Sequence, residues 1–134
     1  MRFALVKVFY TGFYKTFYNC TSLTAIPSGL FDFNTSVSTF GFYQAFYNCT
    51  SLTSVPSDLF DNNTLNESFN GTFKDTAITT LSAATWSIVS VSDATEMFNG
   101  VTLTTDSYDA LLVGWEGQVE QHTVIFDAGD STYT

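Results

Sequence analysis

The sequence predicts an α/β repeat solenoid, in which each coil carries a short parallel strand and a helix and a strand close the C-terminal end. Three observations support this fold class: a 29-residue repeat, a recurring order of phenylalanine, leucine and proline within it, and a helical spacing of apolar residues near the C-terminus. The 134 residues are 45% hydrophobic and include 14 Phe, 7 Tyr and 2 Trp, which suffices for the core of one domain.

The repeat is clearest between residues 13–32 and residues 42–61. Their sequences, FYKTFYNCTSLTAIPSGLFD and FYQAFYNCTSLTSVPSDLFD, agree at 15 of 20 positions. Two weaker copies follow at spacings of about 27 and about 25 residues. We therefore predict a single solenoid domain over residues 1–134, with degenerate repeats at 8–36, 37–64, 65–90 and 91–104 and a C-terminal cap module at 105–134.

Each copy is expected to contain one helical turn, one strand and one or two corners. Phe13 and Phe17 are four residues apart, a spacing that places both rings on one face of a helical turn. The Leu-x-x-Ile/Val segment that follows predicts a short strand, closed by Pro27 or Pro56 because proline cannot donate to a strand pairing. One such coil cannot bury its apolar side chains alone, so neighbouring coils are expected to stack.

The C-terminal part has a different pattern of apolar and polar residues. Residues 85–91 alternate weakly and predict a strand or an extended edge. A helix is predicted to begin at Thr105 or Asp106 and to end before Gly117, and residues 123–126 predict a final strand. The apolar positions of the helix follow helical spacing at Tyr108, Leu111, Leu112 and Trp115.

The segments TFYNCTSLTAIP (16–27) and AFYNCTSLTSVP (45–56) resemble the BspA-like, or Treponema-type, leucine-rich-repeat surface proteins of bacteria. Residues 86–100 are similar to a related surface repeat, and residues 108–133 resemble the C-terminal module of such arrays. The resemblance implies a right-handed solenoid of leucine-rich-repeat type that is exported and acts in adhesion or host contact. This chain departs from the family because it is short and shows no signal peptide, which leaves three alternatives: a fragment, an excised domain, or a phage structural protein that uses the same repeat.

The charge and hydrophobicity of the chain exclude some classes of binding partner. The net charge is −9, from 4 basic and 13 acidic residues, so nucleic acid is not expected as a partner. No apolar run approaches the length of a membrane span, so membrane insertion is not expected either. Residues 1–60 carry three cations against two acids, whereas residues 61–134 carry one lysine against eleven acids. This difference is either drift in surface composition or a source of attraction between copies.

Comparison of the copies suggests which aromatic residues face solvent. Two tyrosine positions of the first two copies become Asn70 and Lys74 in the third, while the phenylalanine positions are retained. A position that accepts Asn or Lys is expected to be solvated, and exposed aromatic groups often mark contacts. The alternative is that these rings only cover the edges of the coils. The candidate protein-binding patch consists of Tyr14, Tyr18, Tyr43 and Tyr47.

No catalytic, cofactor or metal site is predicted. The chain lacks a nucleophile-elbow motif and a phosphate-binding loop, and its one histidine, His122, is interpreted as structural. Cys20 and Cys49 occupy the same repeat position, where a disulfide is geometrically allowed but free thiols in a small, mostly buried position are favoured.

The sequence therefore predicts a non-enzymatic extracellular or cell-surface module for adhesion or protein binding. Its partner would be a protein or glycan on another cell or matrix, with self-association through the open N-terminal coil as a further contact. The alternative is a structural or assembly component, such as a phage virion or filament subunit, built on the same repeat.

Overall fold

The computed structural model describes residues 12–82, 85–118 and 124–134, and these contain three regular elements. Strand β1 covers Asp93–Ala94, helix α1 covers Thr105–Glu116 and strand β2 covers Ile125–Phe126. The two strands pair in parallel, with Asp93 opposite Ile125 and Ala94 opposite Phe126. Because the connection between them contains α1, the helix lies in a crossover between two parallel strands.

The predicted leucine-rich-repeat solenoid is wrong. Within the described residues, the regular structure is one helix and one parallel sheet of two short strands, in place of a strand in every coil. In the segments expected to form strands, 23–26 and 52–55, the pairing is limited to one isolated bridge between Ala25 and Ser54. The strand expected at residues 85–91 is also not formed among the residues described there.

The phenylalanine-pair segments are successions of turns and not the predicted helical turns. The N–H of Phe13 donates to the carbonyl oxygen of Gly41 at 2.7 Å. Four residues later, the N–H of Phe17 donates to the carbonyl oxygen of Ala45 at 2.8 Å. Between them, the N–H of Thr16 donates three residues back to Phe13 at 3.2 Å, and not four residues back as in an α-helix. Alternate amides therefore tie each copy to the next, while the others close tight turns.

Left-handed residues explain why neither a helix nor a strand runs through these segments. Asp, Asn and Gly tolerate positive φ best, and they occupy one equivalent position in all four copies. A second left-handed position lies four residues earlier in each copy, so the backbone bends at a four-residue period. The first row is Asn19, Asn48, Asp75 and Gly100, with φ of 60°, 57°, 57° and 75°. The second row is Lys15, Gln44, Gly71 and Glu96, with φ of 52°, 49°, 59° and 58°.

The core is built around stacked phenylalanine rings contributed by successive copies. Phe17 stacks on Phe46 with ring centroids 5.1 Å apart, and Phe46 stacks on Phe73 at 5.6 Å. Phe73 in turn stacks on Phe98 at 5.7 Å, and the interplanar angles along this column are 5°, 7° and 12°. The last three of these rings are fully buried. Near-parallel rings at these separations combine apolar burial with a favourable aromatic geometry, which ties the copies together.

Helix α1 begins and ends where the sequence predicted, so this prediction is confirmed. Its N-cap is Thr104, whose hydroxyl accepts a hydrogen bond from the N–H of Ser107 at 3.3 Å. The helix ends at Glu116, directly before Gly117, and buries Leu111 against the core. The final strand is shorter than predicted, and its first expected residue, at position 123, lies outside the described residues.

The two cysteines are free. Cys49 is buried, and its thiol donates to the carbonyl oxygen of Phe17 in the preceding copy at 3.0 Å. Burial raises the pKa of Cys49 from 9.0 to about 11, so this thiol stays protonated at neutral pH. The open N-terminal coil predicted as the first repeat, 8–36, is described only from residue 12 onward, and His122 lies outside the described residues.

Candidate functional site

The four tyrosines predicted as a binding patch lie together as two stacked pairs. Tyr14 stacks on Tyr43 with ring centroids 5.0 Å apart and an interplanar angle of 7°. Tyr18 stacks on Tyr47 at 4.8 Å and 6°. Tyr14 is 43% exposed and Tyr18 is 37% exposed, whereas their two partners are half-buried. We refer to these four residues as the tyrosine face.

The four-residue turn period places these rings. Because the backbone repeats its bend every four residues, Tyr14 and Tyr18 share one side of the segment, while Phe13 and Phe17, one position earlier, share the other side and pack against the core. Main-chain hydrogen bonds hold the register of the pairs. The N–H of Lys15 donates to the carbonyl oxygen of Tyr43 at 2.9 Å, and the N–H of Asn19 donates to that of Tyr47 at 2.9 Å. The rings are thus held by a hydrogen-bonded backbone, so they lose little conformational entropy when a partner binds.

Two lysines flank the tyrosine face. The Lys15 ammonium lies 5.4 Å from the ring centre of Tyr14 and 5.2 Å from that of Tyr18. The Lys74 ammonium lies 5.6 Å from the ring centre of Tyr47. These distances are within the range of cation–π attraction. Both lysines of the described residues therefore lie at this face, while the other two cations of the chain lie outside the described residues.

The charge changes sign along the direction in which the copies follow one another. Lys74 forms an ion pair with Glu96 at 3.0 Å, and the hydrogen bond that its ammonium donates to the Glu96 carboxylate is the main cause of the raised pKa of Lys74. Asp93 accepts hydrogen bonds from the side chain of Asn70 at 3.0 Å and from the N–H of Thr95 at 2.9 Å. Burial raises the pKa of Asp93, but these hydrogen bonds outweigh it and lower the pKa below its ordinary value. Asp93 and Glu96 thus lie beside Asn70 and Lys74, which occupy the two tyrosine positions of the third copy.

The sequence comparison of copies missed two residues of this region. Lys15 was not singled out, although it directly follows Tyr14 and lies within the four-residue interval between Tyr14 and Tyr18. Phe40 was also missed; it is 47% exposed and packs edge-on against Tyr43 at 6.2 Å. Lys15 could have been found from its position in the repeat. Phe40 has no counterpart in the alignment of the copies, so that alignment did not point to it.

Across 12–82, 85–118 and 124–134, no group of three or more His, Cys, Asp or Glu side chains could hold a metal ion. In the same ranges, no helix has the length and apolar character that crossing a bilayer requires.

Comparison with family models, with curated proteins and with solved structures finds no match to this chain. The similarity to BspA-like repeats therefore stays a prediction from the sequence.

Proposed function

We propose that this protein is a non-enzymatic binding module and that its tyrosine face takes an acidic segment of another protein. The observation that carries the proposal is the coincidence of the two pairs of stacked tyrosines with both described lysines. The chain as a whole has a net charge of −9, and Lys74 is held in an ion pair with Glu96, so the positive charge that this face offers a partner comes from Lys15. Aromatic side chains backed by a cation are typical of the energetic centre of protein interfaces.

Tyrosine suits this role because it presents a large amphipathic surface with few rotatable bonds. Here the stacking of Tyr14 on Tyr43 and of Tyr18 on Tyr47 restricts those bonds further before any partner arrives. Lys15 lies close to two rings, so a partner carboxylate that reaches its ammonium also covers aromatic surface. Attraction of opposite charges favours acidic partners over basic ones at this face, in spite of the negative charge of the whole chain.

The proposal is tested by selecting binders from a random short-peptide library displayed on phage, with the intact chain immobilised. We expect the selected peptides to be rich in Asp and Glu and to contain apolar residues. Replacing the four tyrosines by serine should weaken binding of the selected peptides by at least about tenfold, because buried tyrosines are frequent hot spots. Lys15→Gln should weaken binding less and should reduce its dependence on salt concentration.

The matched control is Tyr133→Ser, because Tyr133 is 71% exposed and lies outside the tyrosine face. Its binding should equal that of the unaltered protein. Selection of basic peptides that bind the tetra-serine variant equally well would mean that net charge governs binding, and the proposal would be wrong. Circular dichroism of each variant separates lost binding from lost folding.

The second candidate function is that of an assembling structural subunit, favoured by the uneven charge. Residues 1–60 have a formal charge of +1 and residues 61–134 have −10, so unlike ends of two copies attract each other. Light scattering over a range of concentrations, with electron microscopy of the same sample, tests it. A defined oligomer or filament would support assembly, whereas a monomer at all concentrations would reject it. The cell-surface location and the virion alternative remain predictions from the sequence.

A further inference from the structure

The main-chain hydrogen bonds between the phenylalanine-pair segments all have the same direction. At each boundary between neighbouring copies, four alternate N–H groups of one segment donate to four alternate carbonyl oxygens of the next. At the first boundary the distances are 2.7–2.9 Å, and the acceptors belong to Gly41, Tyr43, Ala45 and Tyr47. Each segment therefore presents a row of donors to the copy that follows it and a row of acceptors to the copy that precedes it.

The row of acceptors in the first copy is not used by the described residues. None of them donates a main-chain hydrogen bond to the four carbonyl oxygens that correspond to those of the second copy, which belong to Gly12, Tyr14, Thr16 and Tyr18. The ring of Phe17 beside this row is half-buried, whereas its equivalents Phe46 and Phe73 are fully buried. We call the surface formed by residues 12–20 the acceptor edge.

Three side chains complete the hydrogen-bonding pattern of the acceptor edge, because the residues at their positions in later copies donate to the preceding copy. The hydroxyl of Thr72 donates to the carbonyl oxygen of Phe42 at 2.9 Å, and the thiol of Cys49 donates to that of Phe17 at 3.0 Å. The side-chain amide of Asn48 donates to a preceding asparagine at 2.8 Å. The equivalent donors of the first copy are Thr16, Cys20 and Asn19.

A whole second molecule is a poor source of the matching donors. The fourth copy carries the last donor row, and there the N–H of Phe98 donates to the carbonyl oxygen of Asp127 at 3.1 Å. Ala94 of the same copy pairs with strand β2. Two acceptor edges facing each other would oppose carbonyl oxygen to carbonyl oxygen, which forms no hydrogen bond. The acceptor edge therefore fits a separate segment whose own donor row is free.

We propose that the acceptor edge binds a segment of another polypeptide that carries the motif of the repeat itself, Phe-x-x-x-Phe-x-Asn, and adds it as a further copy. The support is continuity, since the boundaries between copies in this chain show the same contact. Main-chain hydrogen bonds supply affinity, and the phenylalanines of the segment cover Phe13 and Phe17. The acidic partner proposed for the tyrosine face is not required, although Tyr14 and Tyr18 border both surfaces.

The probe is a dye-labelled synthetic peptide with the sequence of residues 37–56, and fluorescence anisotropy measures its binding to the intact chain. We expect saturable binding. Methylation of the peptide nitrogens of Phe42 and Phe46 removes two donors of the row and should weaken binding by at least about tenfold. The matched control is methylated at Thr39 and Ser51, whose N–H groups donate to no described main-chain acceptor, and it should bind like the unmodified peptide.

Variants of the protein examine the same contact from the other side. Thr16→Val removes one side-chain donor with little change of shape and should weaken peptide binding about fivefold. Thr21→Val makes the same change at another exposed threonine of this copy and should have no effect. Lys15→Gln installs the residue of the second copy and should also leave this peptide unaffected.

Because Lys15→Gln is expected to weaken the acidic peptides of the tyrosine face, the two proposals can fail separately. Circular dichroism of each variant checks that it is folded. Absence of saturable binding of the unmodified peptide, or equal binding of the peptide methylated at its donor positions, would overturn the proposal of a repeat segment at the acceptor edge.

Discussion

Phe60 is the most informative residue at which to test the packing of the aromatic core. It is fully buried, and its ring centre lies 4.5 Å from that of Phe42 and 4.8 Å from that of Phe69. Trp86 packs against it edge-on at 4.8 Å. Two further rings complete its surroundings, Phe31 at 5.9 Å and Phe73 at 6.1 Å. Removal of this one ring therefore leaves a void bordered by several copies at once.

The expected cost of Phe60→Ala is about 4 kcal/mol of unfolding free energy. Truncation of a buried phenylalanine to alanine costs about 3–5 kcal/mol, from lost apolar transfer and from the cavity left behind. Aromatic pairing adds about 0.5–1.5 kcal/mol per contact, although contributions of neighbouring contacts do not add fully. A domain of this size is stable by about 5–15 kcal/mol, so the variant should lose a large part of its stability.

Urea unfolding followed by circular dichroism measures this cost, and Phe33→Ala is the matched control. Phe33 is 96% exposed, so its truncation should change the unfolding free energy by less than about 0.5 kcal/mol. The slope of the transition should be the same for both variants and the unaltered protein. A loss of less than about 1.5 kcal/mol in Phe60→Ala, or a loss equal to that of Phe33→Ala, would refute the reasoning that the stacked rings form a close-packed core.

Two further predictions concern the backbone and the buried thiol. Gly129→Ala should destabilise the fold by at least about 2 kcal/mol in urea unfolding, because Gly129 has φ of +64° and a Cβ there would collide with the carbonyl oxygen of Phe98. Gly117→Ala, with open space around it, should change stability little, and equal effects of the two would reject this explanation. The pKa of the Cys49 thiol is about 11 in the folded protein and ordinarily 9.0, so the thiol ionises at lower pH in the unfolded chain than in the folded one. The contribution of Cys49 to the free energy of unfolding should therefore be full below pH 9 and should fall between about pH 9 and 11. The Cys49→Ala variant should lack that part of the pH dependence, and identical pH profiles of the two proteins would contradict the prediction.

The sequence by itself determined which residues meet across copies and which side of each segment is apolar. The 29-residue offset aligns Phe17 with Phe46, and these two rings are stacked in the structure. Replacement of tyrosine by Lys74 in the third copy indicated the solvated side, and Tyr18 is exposed there. Helix α1 could also be predicted from the sequence, because a polar N-cap, four apolar positions and a following glycine are local signals.

Only the tertiary structure decided the path of the backbone. Two phenylalanines four residues apart fit an α-helical turn and equally fit a four-residue turn with a left-handed residue, and the periodicity does not distinguish them. Hydrogen bonds to the next copy, such as that from Phe13 to Gly41, use alternate amides and so exclude the helix.

The candidate sites depend on the same non-local contacts. Lys15 lies close to two tyrosine rings because the turn bends there, and a cavity of about 270 Å³ is lined by Ala94, Trp115 and Phe126, which are far apart in the sequence. Local propensity and repeat alignment reveal composition and register, whereas a backbone path and a cavity arise only when distant segments pack.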